Sequence, residues 1–142
     1  MIVNILLISQ WRIKPLTYMI PKYKLERFCF MGRFIEFVET PVFTKLLSEI
    51  LKDDEYRVLQ GYLSGKPEAG NIIKESGGLR KLRWAAKGKG KSGGSRVIYY
   101  WVTDKEKILM VFIYSKNKTE DLSSEQTKIL KNQVEKYLLQ IG

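Results

Sequence analysis

Residues 95–115 constrain this chain more than any other stretch. Ser95 to Thr103 runs through Val97, Ile98, Tyr99, Tyr100, Trp101 and Val102, all β-branched or aromatic, the residue types that suit a pleated, half-buried surface. Asp104-Lys105-Glu106 is a short polar turn, and Lys107 to Ser115 is then apolar almost throughout. A strand with apolar residues at both parities has no face for solvent, so the second strand is expected at the centre of a sheet, buried on both faces. Whatever else the chain does, it has to build a sheet around this pair.

The flanking segments supply the rest. Phe34 to Glu39 is short and rich in strand formers. Thr40-Pro41 reads as a helix N-cap followed by proline at the first helical position, and Val42, Leu46, Leu47 and Ile50 follow at helical spacing, predicting a helix over 41–51. Asp53 or Asp54 can cap a second helix through Tyr56, Leu59, Gln60, Tyr62 and Leu63, with Ser64-Gly65 and Pro67 as its stop. Glycines and a proline make 65–78 a loop. Leu79 to Ala86 reads as a strand, and Lys87 to Gly94 as a flexible, positively charged loop. Asp121 to Leu139 reads as a helix with Ser123 or Ser124 as its N-cap and a buried stripe of Ile129, Leu130, Val134, Tyr137, Leu138 and Ile141. The order strand, helix, helix, three strands, helix is an α+β pattern: a small, mainly antiparallel sheet with helices packed on one face.

Residues 1–30 fit this pattern poorly. They mix apolar residues with Pro15 and Pro21 and show no clean period. Met31 stands just before the first clear strand, so the domain is expected to span 31–142. Residues 1–30 are expected to be an extension outside it, arising from an upstream start codon.

Composition removes several functions. There is no histidine, which excludes histidine metal sites and the Ser-His-Asp triad. The lone cysteine, Cys29, can form neither an internal disulfide nor a thiolate cage, so a reducing cytoplasm is the expected location and no metal or cofactor is implied. No apolar run approaches the ~20 residues that cross a bilayer, so no membrane partner is expected. Lysine and arginine outnumber aspartate and glutamate by 25 to 15, a balance that draws a small protein to polyanions. The excess is local: residues 74–96 hold eight basic residues (Lys74, Arg80, Lys81, Arg83, Lys87, Lys89, Lys91 and Arg96) against one acidic.

Within that block, Gly90-Lys91-Ser92 is a fragment of a phosphate-binding loop. The full pattern needs glycine at position 85, which is Ala85, and no helix follows for the loop to open. The strands on either side are more informative. Alternate side chains of a strand share a face, so Lys81 and Arg83 project together while Leu82 and Trp84 turn the other way, towards a core. Arg96 shares a face with Ile98 and Tyr100. If the two strands pair as a hairpin, Lys81, Arg83 and Arg96 converge, and Lys116 can join them from the end of the next strand. Converging cations repel, a cost that a phosphate backbone offsets. The alternative is a row of exposed strand cations that protects a sheet edge from aggregation.

Three stretches together carry a resemblance: Gly77-Gly78-Leu79-Arg80-Lys81-Leu82-Arg83; Lys87-Gly-Lys-Gly-Lys-Ser-Gly-Gly-Ser-Arg96-Val-Ile-Tyr-Tyr100; and Phe112-Ile-Tyr-Ser-Lys116-Asn117. They resemble the HigB branch of the RelE-like toxins over about residues 34–140. The resemblance implies the fold described above and the toxin of a type II toxin–antitoxin pair, a ribosome-dependent endoribonuclease that cuts messenger RNA. It implies a cognate antitoxin, HigA-like with a helix-turn-helix domain, as partner. Operator DNA is then reached only through that antitoxin.

Such chemistry needs neither metal nor histidine. The 2′-hydroxyl of RNA attacks the adjacent phosphorus, and the protein must take a proton, stabilise the phosphorane-like charge and help the 5′-oxygen leave. Arginine's planar fork holds two phosphate oxygens and stays charged, and a lysine among other cations can act as a base. By family position, Arg96 and Arg83 are assigned to transition-state charge, Lys81 to proton transfer or phosphate contact, and Lys116 to the basic position after the last strand. Arg80, Lys74, Lys87, Lys89 and Lys91 are assigned to RNA or ribosome binding. Many RelE-like toxins place an arginine after that last-strand lysine and a tyrosine a few residues on. Here the chain reads Asn117-Lys118-Thr119-Glu120-Asp121-Leu122-Ser123, which leaves the base open, with Tyr100 and Glu120 as further candidates. The competing function is a non-catalytic module that binds RNA or ribosome.

Overall fold

The structure is a computed structural model that describes residues 24–30, 33–85, 94–116 and 121–142. Its strands are β1 (Lys24–Phe30), β2 (Arg33–Glu39), β3 (Asn71–Ile72), β4 (Arg80–Trp84), β5 (Ser95–Val102) and β6 (Lys107–Ser115). Its helices are α1 (Pro41–Ile50), α2 (Asp53–Gly65) and α3 (Ser124–Ile141). The six strands form one sheet in the order β1-β2-β6-β5-β4-β3, antiparallel throughout except where β2 runs parallel to β6. This is the α+β class expected from the element order.

The apolar strand β6 lies inside the sheet, and Ile108 to Tyr114 are all buried. Its ladder with β5 steps at Ile98/Tyr99, where Val111 has no opposite residue. The carbonyl at that step is not wasted: Thr40 Oγ1 donates to Val111 O at 2.9 Å and the Thr40 N–H to Met110 O at 3.1 Å. Thr40 Oγ1 also accepts from the Phe43 N–H at 3.1 Å, capping α1 ahead of Pro41. One threonine thus ends β2, starts α1 and ties both to the centre of the sheet.

The helical cover is divided, which differs in detail from the one-sided packing expected. Helices α1 and α2 lie on the face that carries Glu26: Gln60 Nε2 donates to Glu26 Oε2 at 2.7 Å, and Tyr62 packs on Trp84 with ring centroids 5.5 Å apart. Leu25 is adjacent to Glu26 in its strand and so faces the other way. On that side α3 brings Tyr137 and Ile141 against Leu25 and Val38. The physical reason is already in β6, whose unbroken apolar run requires cover on both faces.

A larger correction concerns the start of the domain. Residues 24–30, expected to lie outside it, form β1 and pair with all of β2, from Lys24 opposite Glu39 to Phe30 opposite Arg33. The sheet therefore begins upstream of Met31. A chain truncated to 31–142 loses this ladder and the Gln60–Glu26 hydrogen bond, and leaves β2 as a bare edge. Its melting temperature is expected to fall by roughly 10 °C relative to the full chain; equal melting curves would show that β1 adds nothing.

Candidate active site

The register of β4, β5 and β6 brings the separate cations together. Arg83 stands opposite Arg96, Arg96 opposite Tyr114, and Lys81 opposite Ile98. Opposed residues of an antiparallel pair share a face, so Lys81, Arg83, Arg96 and Tyr114 point the same way, on the side of the sheet where α3 lies. Lys116 follows directly, its N–H donating to Gly94 O at 3.2 Å and fixing the end of β6 against the start of β5. These five residues line one open cleft of about 830 Å³, with Asn71 on the β3 side and Asp121 on the approach to α3. All four cations expected to converge do so.

Arg96 is the deepest of them. It is only 7% exposed, and among the described residues its one hydrogen bond is a long 3.4 Å contact from Nη1 to its neighbour Ser95 O. Among the described residues no carboxylate lies within ion-pair distance of it. A guanidinium held this far from water, with no anion on its fork among the described residues, is costly unless an anion is to be bound there.

Three polar residues of the cleft, Asn71, Tyr114 and Asp121, have no role in the sequence reading. Tyr114 is buried and its hydroxyl has no partner; burial, with the Asp121 charge nearby, pushes its hydroxyl up to about 12, and Arg96 partly offsets this. It is therefore a neutral phenol under all ordinary conditions. Asp121 Oδ1 accepts from Lys81 Nζ at 3.0 Å. That hydrogen bond, with the charges of Lys81, Arg96 and Arg83, holds its carboxyl below the usual aspartate value. The last helix, expected over 121–139 with Ser123 or Ser124 as its N-cap, is indeed capped by Ser123. It starts after Asp121, because Ser123 Oγ accepts from the Gln126 N–H at 3.1 Å and Gln126 Oε1 accepts from the Ser123 N–H at 2.8 Å, a reciprocal cap. Asp121 is thus left outside the helix, in the cleft.

The remaining basic residues are placed elsewhere. Arg80 projects from the opposite face of β4, where Nη1 donates to Gly70 O at 2.8 Å and to Glu68 O at 3.1 Å. It braces the loop before β3 and is not in the cleft. Lys74 lies in a separate groove with Lys128 and Lys131 of α3. Lys87, Lys89 and Lys91, and the candidate base Glu120, lie outside the described residues. The other candidate, Tyr100, packs on Gly78 away from the cleft: a β-carbon at Gly78 would stand 3.1 Å from its ring, and φ there is +107°. This accounts for glycine at 78, where both the backbone and the ring disfavour a side chain.

The model of the family described as the RelE toxin of the RelE / RelB toxin–antitoxin system matches residues 65–141, just over half of the chain. The match runs from the end of α2 through α3 and contains every residue that lines the cleft.

Proposed function

Because this chain belongs to the family of RelE toxins of toxin–antitoxin systems, and so is the toxin partner of an antitoxin, we propose that its cationic cleft is the active site of an endoribonuclease cutting messenger RNA on the ribosome. The observation that carries this reading is the convergence of Lys81, Arg83, Arg96 and Lys116 on one face, with Arg96 nearly buried and without an ion-pair partner among the described residues. A phosphate in the cleft would offset the mutual repulsion of the four cations.

In this reading Arg96 and Arg83, opposite one another across β4 and β5, hold the non-bridging oxygens and stabilise charge as it develops on phosphorus. Lys81 is engaged as a donor to a carboxylate, which suits phosphate contact or protonation of the leaving oxygen and not removal of a proton. Lys116, exposed at the rim, steers the strand in. Lys87, Lys89 and Lys91 add contacts to ribosomal or messenger RNA. The HigB-like branch, a HigA-like antitoxin with operator binding through it, and a cytoplasmic location belong to the same proposal.

The test is to map RNA ends after incubating messenger RNA with the full chain, with and without translating ribosomes. New ends that appear on the ribosome are the expected result. Ribosome occupancy without new ends would instead make the protein a non-catalytic ribosome-binding module.

A further inference from the structure

Among the described residues, none discussed so far is placed to take the proton from the attacking 2′-hydroxyl. Tyr100 packs away from it and Lys81 is already a donor. Tyr114 is a neutral phenol buried at the cleft wall. Asn71 is an amide with no useful basicity. Among the described residues lining the cleft, Asp121 alone carries an ionised oxygen acceptor. Its side chain is 77% exposed, and its Oδ1 is fixed by Lys81 at 3.0 Å, while its Oδ2 has no partner among the described residues and can meet a ligand.

Resting on the ribonuclease reading above, we propose that Asp121 is the general base of the reaction and that Lys81 is its proton-carrying partner. The 2′-hydroxyl gives its proton to the Asp121 carboxylate as its oxygen bonds to phosphorus. The phosphorus–5′-oxygen bond breaks, and the leaving oxygen takes a proton from the Lys81 ammonium. Protonated Asp121 then returns a proton to Lys81 across their hydrogen bond, restoring both groups. The products are a 2′,3′-cyclic phosphate and a 5′-hydroxyl, with no proton gained or lost by the protein.

The cationic surroundings suit this task. Lys81 and Arg83 of β4, Arg96 of β5, and Tyr114 and Lys116 of β6 face Asp121 from the sheet. Lys81, with Arg96 and Arg83, holds the carboxyl below the usual aspartate value, and the chain holds no histidine to titrate between pH 6 and 8. The base is therefore ready at every working pH. Its low basicity is offset by its placement beside the cations that stabilise the transition state.

The test compares the full chain with its Asp121→Asn variant in single-turnover cleavage of ribosome-bound messenger RNA between pH 6 and 8. Asparagine keeps the shape and can still accept from Lys81, so it removes the base and leaves the positioning of Lys81. The expected result is a loss of about 10²–10⁴-fold in rate, with ribosome affinity and melting temperature unchanged. The wild-type rate is expected to be flat with pH, and that of the variant to rise about tenfold per pH unit as hydroxide replaces the lost base. A variant that cuts at the wild-type rate overturns the proposal. So does a slower variant with a flat profile, which would mean that Asp121 acts only by holding Lys81. A wild-type chain that makes no cuts overturns the ribonuclease reading itself, and this proposal with it.

Discussion

Replacing Arg96 by alanine is expected to lower messenger RNA cleavage by about 10³-fold, the scale of losing a buried donor aimed at developing charge. The protein is expected to remain folded, because Arg96 makes one weak hydrogen bond and no ion pair among the described residues. Its removal also relieves repulsion from Arg83, directly opposite, so the melting temperature should hold or rise slightly. Arg96→Lys keeps the charge but loses the planar fork, and should recover only a small part of the rate. The measurement is growth arrest together with the single-turnover rate at matched expression. Full activity in a folded Arg96→Ala protein would remove the cleft as the site of chemistry.

The largest expected effect on stability comes from Phe112→Ala. Phe112 is 1% exposed, stands opposite Ile98 in the ladder and packs its ring 6.0 Å from that of Tyr114. Removing it takes away buried surface and leaves a cavity behind the floor of the cleft, a loss of ~3–5 kcal/mol. For a chain of this size that lowers the melting temperature by roughly 10–15 °C. Phe112→Leu fills most of the space and should cost under about 1.5 kcal/mol. Because Phe112 packs on Tyr114, which lines the cleft opposite Arg96, the alanine variant should also lose cleavage activity at temperatures where it is still folded. A loss of stability with activity intact would show that the cleft does not depend on packing beneath it.

How much of this was legible beforehand follows from the range of each interaction. β5, β6, α1 and α2 were readable because propensity, alternation and capping act over a few residues. The convergence of Lys81, Arg83 and Arg96 was readable because a strand's two-residue period fixes which side chains travel together. β1 was missed because its sequence alternates poorly and two prolines precede it; only pairing with β2 makes it a strand. Asp121 was missed as a cleft residue because it is 40 positions from Lys81 and resembles any acidic residue at a helix start. Tyr114 sits inside an all-apolar strand, where nothing marks one aromatic residue as facing a cleft. The division of the helices between two faces was implicit in β6, but the element order alone did not reveal it.

The parallel pairing of β2 with β6 sets an order of events during synthesis. Glu36 pairs with Lys107, and the Thr40 N–H needs Met110 O, so the N-terminal third is completed by residues about 70 positions later. Until β6 has left the ribosome, Ile35, Phe37 and Val38 have no central strand to lie against. Contacts this distant in sequence slow folding relative to a local bundle. The cleft needs β3, β4, β5 and β6 together with the approach to α3, so it is assembled only after residues 69–121 have all emerged. A nascent copy therefore carries its cations apart, on separate strands, until Asp121 has left the ribosome.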